Sequence, residues 1–268
     1  MKTRSTRLLL LLLLLCTTTL LTIQLSKPVR KAGNPNAIWN IVHNQCVPSM
    51  EKNNDPKPCA AVNITNGVDK GFALLKDIKP GQQFLLIPTR QIAGIESDSL
   101  LEPDAVNYFD AAWSVRSFVE QNAPGTLTRS DYAMAINSMF SRSQNQLHIH
   151  VDCIRQDVRD ALRQNESAIK FDWAPLNVPL AGRTYMVMRV NGSELGSNNP
   201  VKLMANSLTG ASTNMGAHTL IVVGATFSDG TEGFILLADQ ANRFIGNRGH
   251  GEDVEDHSCA VATPRPTH

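Results

Sequence analysis

The sequence predicts an α+β fold with a mainly antiparallel sheet. Short apolar runs of strand length recur along the 268 residues and are separated by Gly-, Pro- and Asn-rich turns. Two segments, 96–123 and 155–169, carry apolar residues at helical spacing instead. The last third returns to strands and contains the hairpin signal "DGTEG". Together these patterns favour helices packed on an antiparallel sheet.

The first 27 residues are predicted to be a membrane signal-anchor that is not part of this fold. Basic residues at Lys2, Arg4 and Arg7 precede a leucine-rich apolar run, an order typical of an export segment whose positive end stays inside. The run is short for a membrane span, but no A-x-A cleavage site follows it. We therefore favour a retained single-pass anchor over a cleaved signal, with residues 28–268 as one extracytoplasmic domain.

Four cysteines follow the predicted anchor, an even number for an oxidising compartment. The sequence alone permits three pairings. We favour Cys46–Cys59, which closes a Pro- and Asn-rich loop, and Cys153–Cys259, which ties the C-terminus to an upstream strand. Unpaired buried thiols are the alternative, and the absence of C-x-x-C spacing argues against a zinc site.

The elements of the first half follow from the apolar runs in order. Residues 36–48 predict a short amphipathic helix, and residues 59–65 and 71–78 predict strands. A third strand is predicted over 83–92, where Pro88 ends it or makes it an edge. The helical stripe in 96–123 predicts one helix, or two that break near Pro103.

The second half begins with two strands and a helix and continues with strands. The strands are predicted over 131–141 and 145–154, and the helix over 155–169. Further strands are predicted over the apolar runs that remain, at 183–190, 202–206, 218–227 and 233–239.

A polar row marks the strand at 145–154. Residues two apart share a face of a strand, so one face carries Gln146, His148, His150 and Asp152 as a row. The buried face carries Leu147, Ile149 and Val151. Alternation alone leaves three interpretations open: a catalytic row, a metal site, or a solvated outer face.

No metal, cofactor or nucleic acid is expected. The H-x-H pair has no evident third ligand except Asp152 on its own row. The stretch 248–259 is rich in His, Asp and Glu but matches no metal motif, so we predict a solvated tail there. A formal net charge of +1 gives no basis for nucleic-acid binding.

The residues around the polar row resemble the histidine-triad superfamily, in which an apolar strand ending in Ile-Pro, a helix, a strand ending in Asn and a short loop precede His-x-His-x-His. Matching places are taken here by Pro88, Arg90, Asn137, Ser143, Gln146, His148 and His150. The wider pattern "HNQC", "LLIP", "SQNQLHIHVDCI" and "DHSC" resembles the membrane-anchored CDP-diacylglycerol pyrophosphatase family. The implied fold is histidine-triad-like, with additional C-terminal strands after residue 176.

The resemblance implies a hydrolase that cleaves the pyrophosphate of the membrane lipid CDP-diacylglycerol to CMP and phosphatidate through a histidine nucleophile. It would act at the bacterial inner membrane with its catalytic domain in the periplasm. The alternatives are another nucleotide pyrophosphatase or nucleotidyl transferase of the superfamily, or a non-catalytic nucleotide- or metal-binding module.

Two registers assign the catalytic histidines differently. Either His148 attacks and His150 takes the third triad place, or His150 attacks and Asp152 is third. In the superfamily a phosphate-contacting serine lies five residues before the nucleophile, and Ser143 thus favours His148; an aspartate in third place would also repel a phosphate. Besides the two histidines, the candidate phosphate ligands are Ser143, Gln146 and Asn137 and, by their charge, Arg142 and Arg90. Gln146 stands where the family triad has its first histidine, which suits a phosphate leaving group that needs no proton.

Overall fold

A computed structural model describes residues 33–264, which form one large antiparallel sheet with helices on it. The nine strands of this sheet are ordered β1-β2-β3-β6-β5-β9-β10-β8-β7. Their bounds are β1 Ala61–Asn63, β2 Phe72–Lys76, β3 Phe84–Pro88, β5 Tyr132–Ile136, β6 Ile149–Cys153, β7 Ala174–Pro175, β8 Met186–Asn191, β9 His218–Thr226 and β10 Glu232–Gln240. Two further short strands, β4 Gly125–Thr126 and β11 Thr263–Pro264, pair with each other.

Six α-helices accompany the sheet within the described residues. They are α1 Ala37–Ile41, α2 Val47–Asn53, α3 Tyr108–Ser114, α4 Ser117–Asn122, α5 Gln156–Gln164 and α6 Pro200–Ser207. A π-helical turn, Val42–Cys46, joins α1 to α2. None of the described helices is long and apolar enough to cross a bilayer. The predicted anchor, residues 1–27, lies outside the described residues.

Strand β6 lies in the interior of the sheet, between β3 and β5. Residue 150 is paired with Leu85 on one side and with Ala135 on the other, so the imidazole of His150 projects from a backbone that is hydrogen-bonded on both edges. Such a backbone has little freedom to shift. The strand therefore fixes the direction of the side chains that project from it.

The two faces of β6 pack against different parts of the chain. Leu147 and Ile149 share a small cavity with Tyr108 and Phe109 of α3, on the face that holds most of the core. The opposite face, which carries His150 and Asp152, lies under the 3₁₀ turn Gly251–Val254 and the residues after it. Hence the predicted alternation is confirmed, but both faces are covered.

Both predicted disulfides are present. Cys46 is bonded to Cys59, and Cys153 at the end of β6 is bonded to Cys259. The first holds the end of the π-helical turn to the segment that enters β1, and the second holds the C-terminal segment against the sheet. Two disulfides are typical of an oxidising, non-cytoplasmic compartment.

The α+β class, the hairpin and the strands added after residue 176 are confirmed. The hairpin pairs β9 with β10 in the register Thr226–Glu232, and β9 continues the sheet beside β5. In β3, Pro88 is the last residue, as its missing N–H requires.

Three predicted elements differ in the structure. The strand predicted over 202–206 is wrong: these residues lie in α6, because the Asn199 side chain accepts hydrogen bonds at the helix start and Pro200 favours the first helical turn. The helical stripe of 96–123 becomes α3 and α4, and α3 begins only after Asn107, whose side chain caps it. Strand β6 begins at Ile149 rather than at residue 145.

Candidate active site

The polar row of β6 is buried rather than solvated. Gln146 and Asp152 are 0% exposed, His148 is 7% exposed and His150 is 4% exposed. This rules out the solvated-face interpretation. A buried polar side chain needs a hydrogen-bond partner, so the partners of each residue indicate what it can do.

His148 is held in a single tautomer by the backbone. Its Nδ1 lies 2.7 Å from the carbonyl oxygen of Gln146, and a carbonyl can only accept, so Nδ1 carries the proton and Nε2 carries a lone pair. Nε2 has no hydrogen-bond partner among the described residues, and it is not one of their fully buried polar atoms. The structure thus presents a neutral imidazole whose basic nitrogen keeps a lone pair that no described residue occupies.

Burial keeps this imidazole uncharged. Burial lowers the pKa of His148 below its ordinary value, since desolvation disfavours the charged ring, and this outweighs the hydrogen bond to Gln146. Arg142 contributes in the same direction through its charge. A nucleophilic histidine must be neutral, and both effects favour that state.

His150 lies edge-on to His148 and is tied to the C-terminal segment. The two ring centroids are 4.9 Å apart at an interplanar angle of 68°. His150 Nε2 is 3.3 Å from Asn137 Nδ2 and 3.3 Å from Glu252 Oε1, and its Nδ1 is buried without a partner. Burial, and then the neighbouring His148, lowers the pKa of His150 well below its ordinary value.

Glu252 connects this pair of rings to a cation. Its Oε1 accepts a hydrogen bond of 2.9 Å from Asn137 Nδ2, and its Oε2 lies 2.7 Å from Lys79 Nζ. Burial acts to raise the pKa of Glu252, but the hydrogen bonds from Lys79 and Asn137 and the charge of Lys79 together hold that pKa well below its usual range. Glu252 is therefore a buried carboxylate that stays ionised beside His150.

Two further acids extend this cluster: Glu255 lies beside Glu252, and Asp152 lies beside Glu255. Gln83 Nε2 donates a 3.0 Å hydrogen bond to Glu255 Oε2, and Asp152 Oδ2 lies 2.5 Å from His257 Nδ1. Burial and the charge of Asp152 raise the pKa of Glu255 well above its ordinary value, so Glu255 holds its proton. The hydrogen bond to Asp152 raises the pKa of His257, which favours an imidazolium there.

These residues also have the donor atoms of a divalent-cation site. Ligand atoms of His150, Glu252 and Glu255 lie within 4.8 Å of one another, as do those of Asp152, Glu255 and His257. Carboxylate and imidazole donors of this kind suit several divalent metals. Lys79 already supplies positive charge to Glu252, at 2.7 Å.

The candidate phosphate ligands fall into two groups: Gln146 and Asn137 are buried, whereas Ser143 and Arg142 lie in the loop before β6. The side-chain amide of Gln146 donates hydrogen bonds to the carbonyl oxygens of Pro88 and Arg90. Its Oε1 accepts a hydrogen bond from the backbone N–H of Ile92. Asn137 is likewise occupied by Glu252, His150 and the N–H of Gly251. The side chains of both residues are thus engaged in positioning their neighbours.

Ser143 and Arg142 lie in the loop before β6. Ser143 is exposed and its hydroxyl has no hydrogen-bond partner among residues 33–264. Arg142 forms a two-pronged ion pair with Glu96, with both N–O distances 2.6 Å, and this pairing outweighs burial and lowers the pKa of Glu96. Arg90 instead lines a small cavity beside Tyr108.

Two larger cavities lie elsewhere. One of about 630 Å³ is lined by Thr128, Arg159 and neighbouring residues of β9, and another of about 630 Å³ lies between Arg155 and Asp256. Neither is lined by His148 or His150.

Comparison with known proteins identifies the family. The model of the CDP-diacylglycerol pyrophosphatase family matches residues 33–263. A Yersinia pestis protein named CDP-diacylglycerol pyrophosphatase is 38% identical over 233 residues, which cover 87% of this chain and 87% of that protein. The chain belongs to the CDP-diacylglycerol pyrophosphatase family. The resemblance to this family in the sequence is thereby confirmed, and the family match includes both the histidine row and the C-terminal segment that covers it.

The sequence interpretation missed the part that the C-terminal segment plays in this site. The solvated tail predicted for 248–259 is wrong, since Glu252 is 8% exposed and Glu255 is 7% exposed. The pairing of Cys153 with Cys259 was a usable signal: it brings residues just before Cys259 to the end of β6. Lys79 and Gln83, in the β2–β3 connection, gave no such signal.

Proposed function

We propose that this chain hydrolyses the pyrophosphate bond of CDP-diacylglycerol, releasing CMP and phosphatidate, with His148 as the nucleophile. Membership of the family supports the substrate. The observation that carries the choice of nucleophile is the hydrogen bond from His148 Nδ1 to the Gln146 carbonyl, which leaves Nε2 with its lone pair and no partner in the described chain.

The reaction has two steps. In the first, Nε2 attacks the phosphorus that bears cytidine, a bond from nitrogen to phosphorus forms, and the bond to the bridging oxygen breaks as phosphatidate leaves. Phosphatidate leaves as an anion and needs no proton from the residue that stands in the first triad place. In the second step water attacks the cytidylyl-histidine, CMP is released, and the neutral imidazole returns.

The neighbouring residues support this chemistry in different ways. His150, held by Asn137 and Glu252, is the residue we assign to hydrogen-bonding the phosphate oxygens as negative charge develops. The free hydroxyl of Ser143 is a second phosphate donor. Gln146 acts as a positioning residue, since its amide fixes the loop after β3 and its carbonyl fixes the His148 tautomer.

Substrate access requires a movement. Because His148 is 7% exposed, a phosphorus can approach Nε2 only when a neighbouring segment is displaced. We assign this movement to residues 139–145, which immediately precede the site and are held by the ion pair between Arg142 and Glu96. A substrate phosphate can compete with Glu96 for the guanidinium, which would couple binding to opening.

Substitution of the histidines tests the proposal. In the purified full-length protein, His148→Ala should reduce CMP release about a thousand-fold or more, as loss of a nucleophile does, while His150→Ala should leave measurable turnover. His218, a buried histidine of β9 that is 5% exposed, provides the matched control, and His218→Ala should retain activity. Full turnover by His148→Ala would reject the nucleophile, and a preference for soluble CDP-alcohols over CDP-diacylglycerol would reject the substrate.

A further inference from the structure

Three exposed hydrophobic side chains lie at the end of the sheet where β6 begins. Phe244 is 103% exposed and Ile245 is 77% exposed, both in the 3₁₀ turn Arg243–Ile245 that follows β10. Met139, which is 46% exposed, lies in the loop that leads from β5 to His148. Because neighbouring strands are antiparallel, the end of β10, the end of β5 and the start of β6 share one end of the sheet.

The two loops that carry these side chains are braced against each other. Ser138 N donates to Gly249 O at 3.0 Å, and Arg248 Nε donates to Phe140 O at 2.8 Å. Their hydrophobic tips therefore project from a supported surface. An isolated exposed hydrophobic residue is ordinary, but a group of them on one supported surface indicates an interaction site.

Positive charge accompanies the hydrophobic tips. Arg243 and Arg248 are exposed and form no ion pair among residues 33–264. The guanidinium of Arg243 lies 5.6 Å from the centre of the Phe140 ring, beside the same loop. Apolar side chains flanked by unneutralised arginines complement an anionic membrane interface, where the apolar parts enter the acyl boundary and the cations meet lipid phosphates.

Residues 34–35 also lie at this end of the molecule. Asn145 N donates to Pro35 O at 2.7 Å, and Gln144 Nε2 donates to Asn34 O at 3.2 Å. This segment therefore packs beside the loop that leads to His148. In the sequence it is preceded by Lys27, Arg30 and Lys31.

We propose that this end of the domain docks on the surface of an anionic lipid bilayer. The docking surface consists of Met139, Arg243, Phe244, Ile245 and Arg248. Insertion of the hydrophobic tips places the loop that leads to His148 at the level of the lipid headgroups, where the pyrophosphate of a lipid-linked nucleotide lies. The enzyme then reaches that bond without extracting two acyl chains into water. The choice of a lipid as substrate rests on the proposed function, whereas the docking itself does not.

Quenching by brominated lipids tests the docking directly. The full-length protein carrying Phe244→Trp is reconstituted into vesicles of phosphatidylglycerol and phosphatidylcholine whose acyl chains are brominated. The control is Ile78→Trp, because Ile78 is 100% exposed and lies in the β2–β3 connection at the opposite end of the sheet. The native tryptophans are common to both proteins and cancel in the comparison.

We expect the tryptophan at 244 to lose at least half its emission in brominated vesicles and the tryptophan at 78 to lose none. Equal emission of the two would overturn the proposal. A tryptophan at 244 that is shielded from aqueous iodide but not quenched by bromine would indicate contact between protein copies, and would overturn it as well.

A turnover measurement adds a second readout. The double substitution Phe244→Ser/Ile245→Ser should lower kcat/KM for CDP-diacylglycerol in vesicles at least about ten-fold, since losing the burial of even one such hydrophobic side chain accounts for roughly that factor. It should leave kcat/KM for a water-soluble short-chain analogue within two-fold, and Ile78→Ser should change neither. Equal loss on both substrates would contradict docking. Because the quenching measurement needs no turnover, failure of the proposed hydrolase function would not be mistaken for failure of the docking.

Discussion

Removing the Cys153–Cys259 disulfide should lower both the stability of the fold and the activity of the site, whereas removing the Cys46–Cys59 disulfide should lower stability alone. This bond joins the last residue of β6 to the segment that follows the 3₁₀ turn Gly251–Val254, and that turn carries Glu252 to His150. The double substitution Cys153→Ala/Cys259→Ala releases this connection. Cys46→Ala/Cys59→Ala removes the same atoms from another buried disulfide, one that lies between α1 and β1, and is therefore a matched control.

The expected magnitudes follow from the lengths of the closed loops. The two disulfides close loops with sequence separations of 106 and 13 residues. In the chain-entropy model, the two disulfides stabilise the folded state by about 5 and about 3 kcal/mol respectively, because closing the longer loop restricts the unfolded chain more. The Cys153–Cys259 variant should thus lose about 2 kcal/mol more of its free energy of unfolding.

Two measurements check this reasoning on the full-length protein in detergent. Urea unfolding followed by circular dichroism gives the free energies, and CMP release below the unfolding transition gives the activity of folded molecules. The Cys153–Cys259 variant should lose about ten-fold in kcat, since Glu252 is no longer held beside His150, whereas the control should keep its kcat. Equal kcat losses in the two variants, or a larger stability loss in the control, would refute the account.

The remaining predictions concern titratable groups of the site. Burial raises the pKa of Glu255, so above about pH 4.5 the unfolded chain loses this proton while the folded chain keeps it, and stability falls as the pH rises. In thermal scans at both pH values, Glu255→Gln should therefore raise the Tm at pH 8 and leave it unchanged below pH 4.5. Burial lowers the pKa of His148, so the acid limb of a kcat/KM–pH profile should have its midpoint below 6.5, and a midpoint above 6.5 would contradict a buried neutral nucleophile. Glu252→Gln removes the carboxylate that faces His150 and accepts from Asn137, and should lower kcat about ten-fold with little change in KM; an unchanged kcat in steady-state assays would deny Glu252 a positioning role.

The sequence predicted the local features of the site well. Strict alternation from Gln146 to Asp152 identified the polar row, because side chains on a strand alternate between faces whatever covers them. The disulfide pairs were also predicted, and the pairing of Cys153 with Cys259 contained the information that the C-terminal segment returns to β6.

Long-range burial is what the sequence could not supply. Glu252 reaches Asn137 across 115 residues, and no local pattern distinguishes a carboxylate that is buried by such a contact from one in a solvated tail. The strand predicted over 202–206 failed for a different reason. Its apolar residues also fit a helix, and the decisive signal, Asn199 followed by Pro200, lies just outside the apolar run.

Mass spectrometry of alkali-quenched turnover tests the central claim most directly, because a phosphorus–nitrogen bond to imidazole hydrolyses in acid. During hydrolysis of CDP-diacylglycerol by the full-length protein, a cytidylyl group should be found on the peptide that contains His148, on the imidazole of that residue, and it should disappear as the substrate is exhausted. An adduct on His150, or turnover that proceeds with no adduct on either histidine at any quench time, would contradict the assignment of His148 as the nucleophile.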